Sequence, residues 1–191
     1  IRKQTKQSGI GLVGSAMLRI VETDDPRLQQ ALRSCGLGLV TLGLGLLQFF
    51  LNFQFVYQSE RYVTSGLVAV LFALMLVPNA LFARAFFGTA LTARFLAGSA
   101  VALGGIALLV LHEYRAAPAG ADAVLAGAAL CGGAILCASL GNVMQATRTA
   151  REVPGFALLA WAMLFGTLAN AVYAGITTGP PQVEWSARYL G

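Results

Sequence analysis

Two carboxamides, Gln48 and Asn52, stand four residues apart in an otherwise apolar run, with a third, Gln54, just beyond. On a helix a spacing of four puts two side chains on one face, and an unpaired amide turned towards lipid is costly. The face must therefore meet other helices or water. It either lines a path for a polar solute or bonds one helix to the next, and such a bond is worth only about 0.6–2 kcal/mol. Asn142 and Gln145, three apart, and Asn79, directly after Pro78, face the same choice. Asn170 stands alone and reads as structural. Pro78 removes a backbone donor and clashes with the preceding turn. It is either a hinge that frees a carbonyl inside the membrane or a static kink. Among the aromatics, Tyr57 and Trp161 are candidates for an apolar, stacking cavity wall. Trp161 sits near the middle of its run, away from the usual interfacial belt.

The excluded chemistry is as informative. The single histidine, His112, lies beside Glu113 at a helix end and reads as interfacial. There is no serine–histidine pair, no metal-ligand spacing and no phosphate-binding loop, so the reading is not an enzyme, with no cofactor and no metal. Cys35, Cys131 and Cys137 all lie in apolar runs and read as small, buried hydrophobes.

The elements that must hold these residues follow from composition. The chain is 57% hydrophobic and 11% charged, against about 45–50% and 25% for soluble domains. Five runs carry no Asp, Glu, Lys or Arg: Cys35–Tyr57, Val63–Ala83, Phe95–Leu111, Ala123–Thr147 and Gly155–Gly179. They are about 17–25 residues long, near the ~20 needed to cross a hydrocarbon core as a helix. Inside lipid the backbone must bond to itself, and the runs do not alternate as barrel strands do. The fold class is all-α integral membrane protein, a bundle of transmembrane helices. The absence of intramembrane charge argues against an embedded-carboxylate proton relay in these helices.

The formal charge of +5 then reports topology, not nucleic acid binding. Ten of the thirteen basic residues, including Arg84, Arg94, Arg148 and Arg151, fall on one side, and Arg61, Arg115 and Arg188 on the other. The basic side is expected to be cytoplasmic, which puts the N-terminus inside. Before the first run, Gly9 to Leu18 is apolar but too short to span. Arg19 follows at once without a small-x-small site, which disfavours a secretory signal. An interfacial segment or the remains of a longer helix is expected there, followed by a soluble turn in which Asp25 caps a helix starting at Pro26. Trp185 and Tyr189 read as interface anchors. Small residues at close spacing (Gly98/Ala102, Gly127/Cys131, Ala128/Gly132, Ala129/Gly133, Cys137/Gly141) are expected to let helix backbones approach.

Tyr57 to Val110 reads YQSERYVTSGLVAVLFALMLVPNALFARAFFGTALTARFLAGSAVALGGIALLV. Its order of features is RY-x-x-SG-x-x-A, a mid-helix proline, Ala83-Arg84, a short loop, and a helix ending GGIALLV. It resembles the third to fifth helices of an EamA-type transporter of the drug/metabolite transporter superfamily. GAALCGGAILCASLGNVMQATR resembles the sixth helix of that family, FALLAWAMLFGTLANAV the seventh, and SARYLG the lead-in to the eighth. The resemblance runs from about residue 33 to 191. Thr89 stands where the family loop usually carries glutamate.

The resemblance implies a ten-helix fold of two inverted repeats, of which this would be a partial chain. Residues 1–33 would be a basic N-terminal segment, not necessarily contiguous with the rest, 34–117 the end of the first repeat, and 118–191 the start of the second. It also implies a membrane transporter of small metabolites, amino acids or related amphipathic solutes, exporting across a bacterial inner membrane by alternating access. The expected partners are the lipid bilayer and a small-molecule substrate. A homodimer is one route to a complete cavity, although the charge asymmetry opposes an antiparallel pair. The competing reading is a non-transporting membrane scaffold or partner subunit.

Overall fold

The computed structural model describes residues 26–116 and 121–179. The N-terminal segment to residue 25, the Pro118 loop, Trp185 and Tyr189 lie outside them. Among the described residues there are helices and connecting turns and no strand. Five helices are long and apolar enough to cross a membrane: Arg33–Ser59, Ser65–Phe87, Ala93–Arg115, Asp122–Gln145 and Gly155–Thr177. They fall on the five uncharged runs, and are called here the first to fifth spans.

Local chemistry sets their ends. Pro26 opens the first helix, where its missing N–H costs nothing. The Thr64 hydroxyl oxygen accepts a hydrogen bond from the Leu67 N–H at 3.4 Å and caps the second span. That span ends at Gly88, whose φ of 69° is the left-handed conformation glycine adopts without a side-chain clash. Its N–H donates to the Arg84 carbonyl at 2.9 Å. Thr92 caps the third span in the same way, accepting from Phe95 N–H at 3.2 Å.

Two spans are irregular inside. The second is α-helical over Ser65–Phe72, tightens to a 3₁₀ turn at Ala73–Met75, and resumes over Leu76–Phe87. The disturbance sits one turn before Pro78, where a proline ring displaces the carbonyl four residues back. The first is α-helical to Leu44, π-helical over Gly45–Leu51, and α-helical again from Asn52 to Ser59.

Contacts fix the directions. Gln48 and Phe55 meet Gly141 and Gly133, and Ser59 bonds to Gly127, so the first and fourth helices run antiparallel. Gly45 meets Ala162 and Phe49 meets Gly166, so the first and fifth run parallel. Cys131 approaches Val68, and Asn142 approaches Met75 and Asn79, so the second and fourth also run parallel. These directions agree with a chain that crosses five times in alternation.

The fourth span is the hub. Its Val124, Cys131 and Ile135 form one buried cluster with Val63, Leu67, Val68 and Leu71. A second cluster joins Leu44 to Ala150, Leu158 and Ala162. The Ser59 hydroxyl, fully buried, donates to the Gly127 carbonyl at 2.8 Å and ties the end of the first span to the fourth.

Two sequence expectations need correction. Among the small-residue pairs, Gly127 and Gly141 do sit at close helix contacts, but Gly98 and Gly132 have no neighbour within 4 Å of where a side chain would begin. Spacing along a helix does not say whether a partner lies against it. Of the cysteines, Cys131 is buried, Cys137 is half-buried and Cys35 is exposed, because Cys35 lies in the outer turns of a helix whose contacts begin further along.

Candidate functional site

The polar side chains gather on the contacts of the first, second, fourth and fifth spans, close to both irregular turns. In the π-helical turn the hydrogen-bond register slips by one residue, and such turns recur at functional sites. Glycines permit the close packing around it. A side chain at Gly166 would come within 2.4 Å of Phe49 Cβ and 2.8 Å of the Gly45 carbonyl, and one at Gly45 within 2.6 Å of the Ala162 carbonyl. One at Gly141 would meet Gln48 Oε1 at 2.5 Å.

Asn170 secures the turn from the fifth span. Its Nδ2 donates to the Phe49 carbonyl at 2.8 Å and to the Gly166 carbonyl at 2.9 Å. Its Oδ1 accepts from Gln54 Nε2 at 2.8 Å. A carbonyl inside the slipped register is thus matched by an amide from a neighbouring helix, which meets the rule that backbone polar groups in a membrane find protein partners.

Gln48 and Asn52 face the fourth span in a different state. Asn52 is 8% exposed, and its Nδ2 donates back to the Gln48 main-chain carbonyl at 3.4 Å. The side-chain oxygens Gln48 Oε1 and Asn52 Oδ1 are buried without a hydrogen-bond partner, as is Ser139 Oγ on the fourth span. A buried orphan of this kind costs about 1–3 kcal/mol, so each calls for an explanation.

Across the fourth span from Gln48, Asn142 Nδ2 donates to Asn79 Oδ1 at 3.4 Å and lies 3.9 Å from Met75 Sδ. The residue after Pro78 therefore joins the second span to the fourth beside the 3₁₀ turn. Gly141 and Asn142 are near the end of their helix that leads to Arg148. The cluster accordingly occupies the half of the bundle nearer the basic residues Arg84 and Arg148.

The sequence candidates divide on this geometry. Gln48, Asn52, Asn79 and Asn142 come to the helix contacts around the fourth span, with Pro78 beside them. Gln145 closes that helix, half-buried. Tyr57 and Trp161 are not brought to the cluster. Tyr57 is 62% exposed and stacked on Phe53, and Trp161 is 59% exposed and tilted against Phe165. Both turn away from the other described helices. The neighbour of Trp161, Ala162, is the residue fully buried against the first span.

Sequence reasoning read Asn170 as structural, which its bonds bear out, but could not name its partner Gln54, 116 positions away. It also missed Gly45, Gly166 and the π turn. The available signal was the pair Ala162 and Gly166, two small residues four apart on a helix that also carries a carboxamide.

A separate crevice of about 550 Å³ opens between the second, third and fourth spans, lined by Leu74, Leu103, Ile106 and Leu125 among others. It holds no carboxamide and faces outward, as suits lipid chains.

A family model described as the EamA-like transporter family matches residues 7–111. The match starts well before the point at which the motif resemblance begins and stops ahead of the fourth span. Comparison with curated proteins and with solved structures returned no match.

Proposed function

Because the chain belongs to the EamA-like transporter family, we propose that it moves small metabolites by alternating access, with the carboxamides around the fourth span lining the path. The family consists of membrane transporters of the drug/metabolite type, and the five spans make this a multi-pass membrane protein. In this reading residues 34–117 complete a first repeat and 118–191 open a second. The solutes are amino acids or related amphipathic molecules. They leave the cell across a bacterial inner membrane whose cytoplasmic face holds Arg84, Arg94, Arg148 and Arg151.

One observation carries the reading. In a chain surrounded by lipid, Gln48, Asn52, Asn79 and Asn142 converge on one helix at its contacts with two others, and both partner helices depart there from regular α-helical geometry. Broken helices with polar side chains at their contacts are the usual construction of a solute site in secondary transporters. Without Asp, Glu, Lys or Arg in the five uncharged runs, the site suits a facilitator or a weakly coupled exporter.

The test is uptake and efflux of a labelled metabolite panel in proteoliposomes of the reconstituted chain. Asn142→Leu and Asn79→Leu are expected to lower flux of the transported solute about tenfold, and Trp161→Ala to leave it unchanged. If no solute moves under any gradient, the scaffold or partner-subunit reading replaces this one.

A further inference from the structure

The orphaned oxygens of Gln48 and Asn52 specify more than a polar surface. Each carboxamide has a donor end and an acceptor end. Asn52 spends its donor on the Gln48 main-chain carbonyl at 3.4 Å, which fixes its Oδ1 as the unpaired end. Gln48 presents Oε1 to Gly141, which offers it no donor: Gly141 is inside a helix, and its N–H is committed to the helix's own ladder. The nearby amide donors are also committed. Asn142 Nδ2 goes to Asn79, and Asn170 Nδ2 to two carbonyls. The first and fourth spans thus close on two unmet acceptors, with Asn52 more than nine-tenths buried.

We propose that Gln48 Oε1 and Asn52 Oδ1 are the recognition point for an uncharged hydrogen-bond donor, a hydroxyl or amide N–H of the solute. The inference rests on the transporter reading above and gives its site a chemical class. An anionic group would set its lone pairs against those of the two oxygens. An ammonium group would have to be buried without a counter-charge, since no acidic residue lies within the five uncharged runs and Glu113 and Asp122 stand at helix ends. A neutral donor satisfies both oxygens at neither cost. Gly141, having no side chain, lets Gln48 lie directly against the fourth span. A donor placed between the two helices would remove the cost of the unpartnered oxygens.

A pair of isomers tests the donor requirement. Butane-1,4-diol and 1,2-dimethoxyethane have the same atoms, but only the diol can donate. Sodium butyrate serves as the anion. Thermal unfolding of the full chain in detergent is followed with each probe, since a ligand that binds only the folded state raises Tm with concentration. The diol is expected to raise Tm relative to the ether and butyrate. Asn52→Leu and Gln48→Leu are each expected to weaken the diol effect about tenfold or more, and Ser139→Ala to leave it intact. Equal effects of diol and ether, a larger effect of butyrate, or a diol effect that survives both leucine variants would overturn the site. So would no response to any probe, which would leave water as the donor. Flux distinguishes the two readings. Donor-selective binding without transport removes the transporter and keeps the site, whereas transport without discrimination between the isomers does the reverse.

Discussion

The third and fourth spans are similar in length, hydropathy and glycine content, yet they hold opposite places in the molecule. Within its most apolar window the fourth span is 39% buried and the third 0%. Gly127, Gly133 and Gly141 each have a side chain from elsewhere in the bundle against them, while Gly98, Gly104 and Gly105 have nothing within 4 Å. Asn142 of the fourth span meets a partner on the second, and the third span has no carboxamide to place. Apolar character brings a helix into lipid but does not say which helix becomes the hub. In a bilayer there is no hydrophobic gain when helices associate, so close packing and polar matching decide.

Glycine-to-alanine substitutions should break that comparison most sharply. Gly166→Ala pushes a methyl group against Phe49 Cβ and the Gly45 carbonyl, and should cost about 1–3 kcal/mol. Gly104→Ala, with open space around it, should be neutral or stabilise by up to about 1 kcal/mol through better helix propensity. Titrating detergent-solubilised protein with a denaturing surfactant reads both, and equal effects would mean that the two helices do not differ as described. Next in size is Asn170→Leu, which removes three hydrogen bonds and leaves the Phe49 carbonyl unmatched. It should cost about 1–2 kcal/mol. It should also speed amide exchange in the π turn while sparing the third span. Asn142→Leu breaks two long contacts, with Asn79 and with the Met75 sulfur, and a loss near 0.6 kcal/mol is expected. The opposite sign should come from Ser139→Ala. Its hydroxyl is buried without a partner, so removal should relieve part of that about 1–3 kcal/mol penalty, less the packing lost with the oxygen, and leave stability unchanged or raised. A loss above 1 kcal/mol would reveal a bond not seen here.

The five spans were legible because length and absence of charge are one-dimensional properties: an uncharged run of about 20 residues has few alternatives to a membrane helix. Gln48, Asn52, Asn79 and Asn142 were legible for the same reason, since a carboxamide within such a run must find protein or water. Azimuth was not legible. Trp161 and Ala162 are adjacent, yet one is exposed and the other fully buried. A helix that is apolar all round gives no periodic signal to tell them apart. The π turn left no mark either. Gly45 is an ordinary glycine until Ala162 is known to lie against it. Asn170 could not be read as a tie while Gln54, on a helix far away in sequence, had no known direction.

The Gly45–Leu51 segment has a consequence for how the first span can be divided. A slipped register inserts the equivalent of one extra residue, so the two halves of the rod are out of phase by roughly 100° compared with an unbroken α-helix. Gln54, beyond the segment, meets Asn170 with that offset in place. Cutting one residue from the segment would therefore act as a rotation, swinging every side chain beyond it to a new compass bearing without bending the rod.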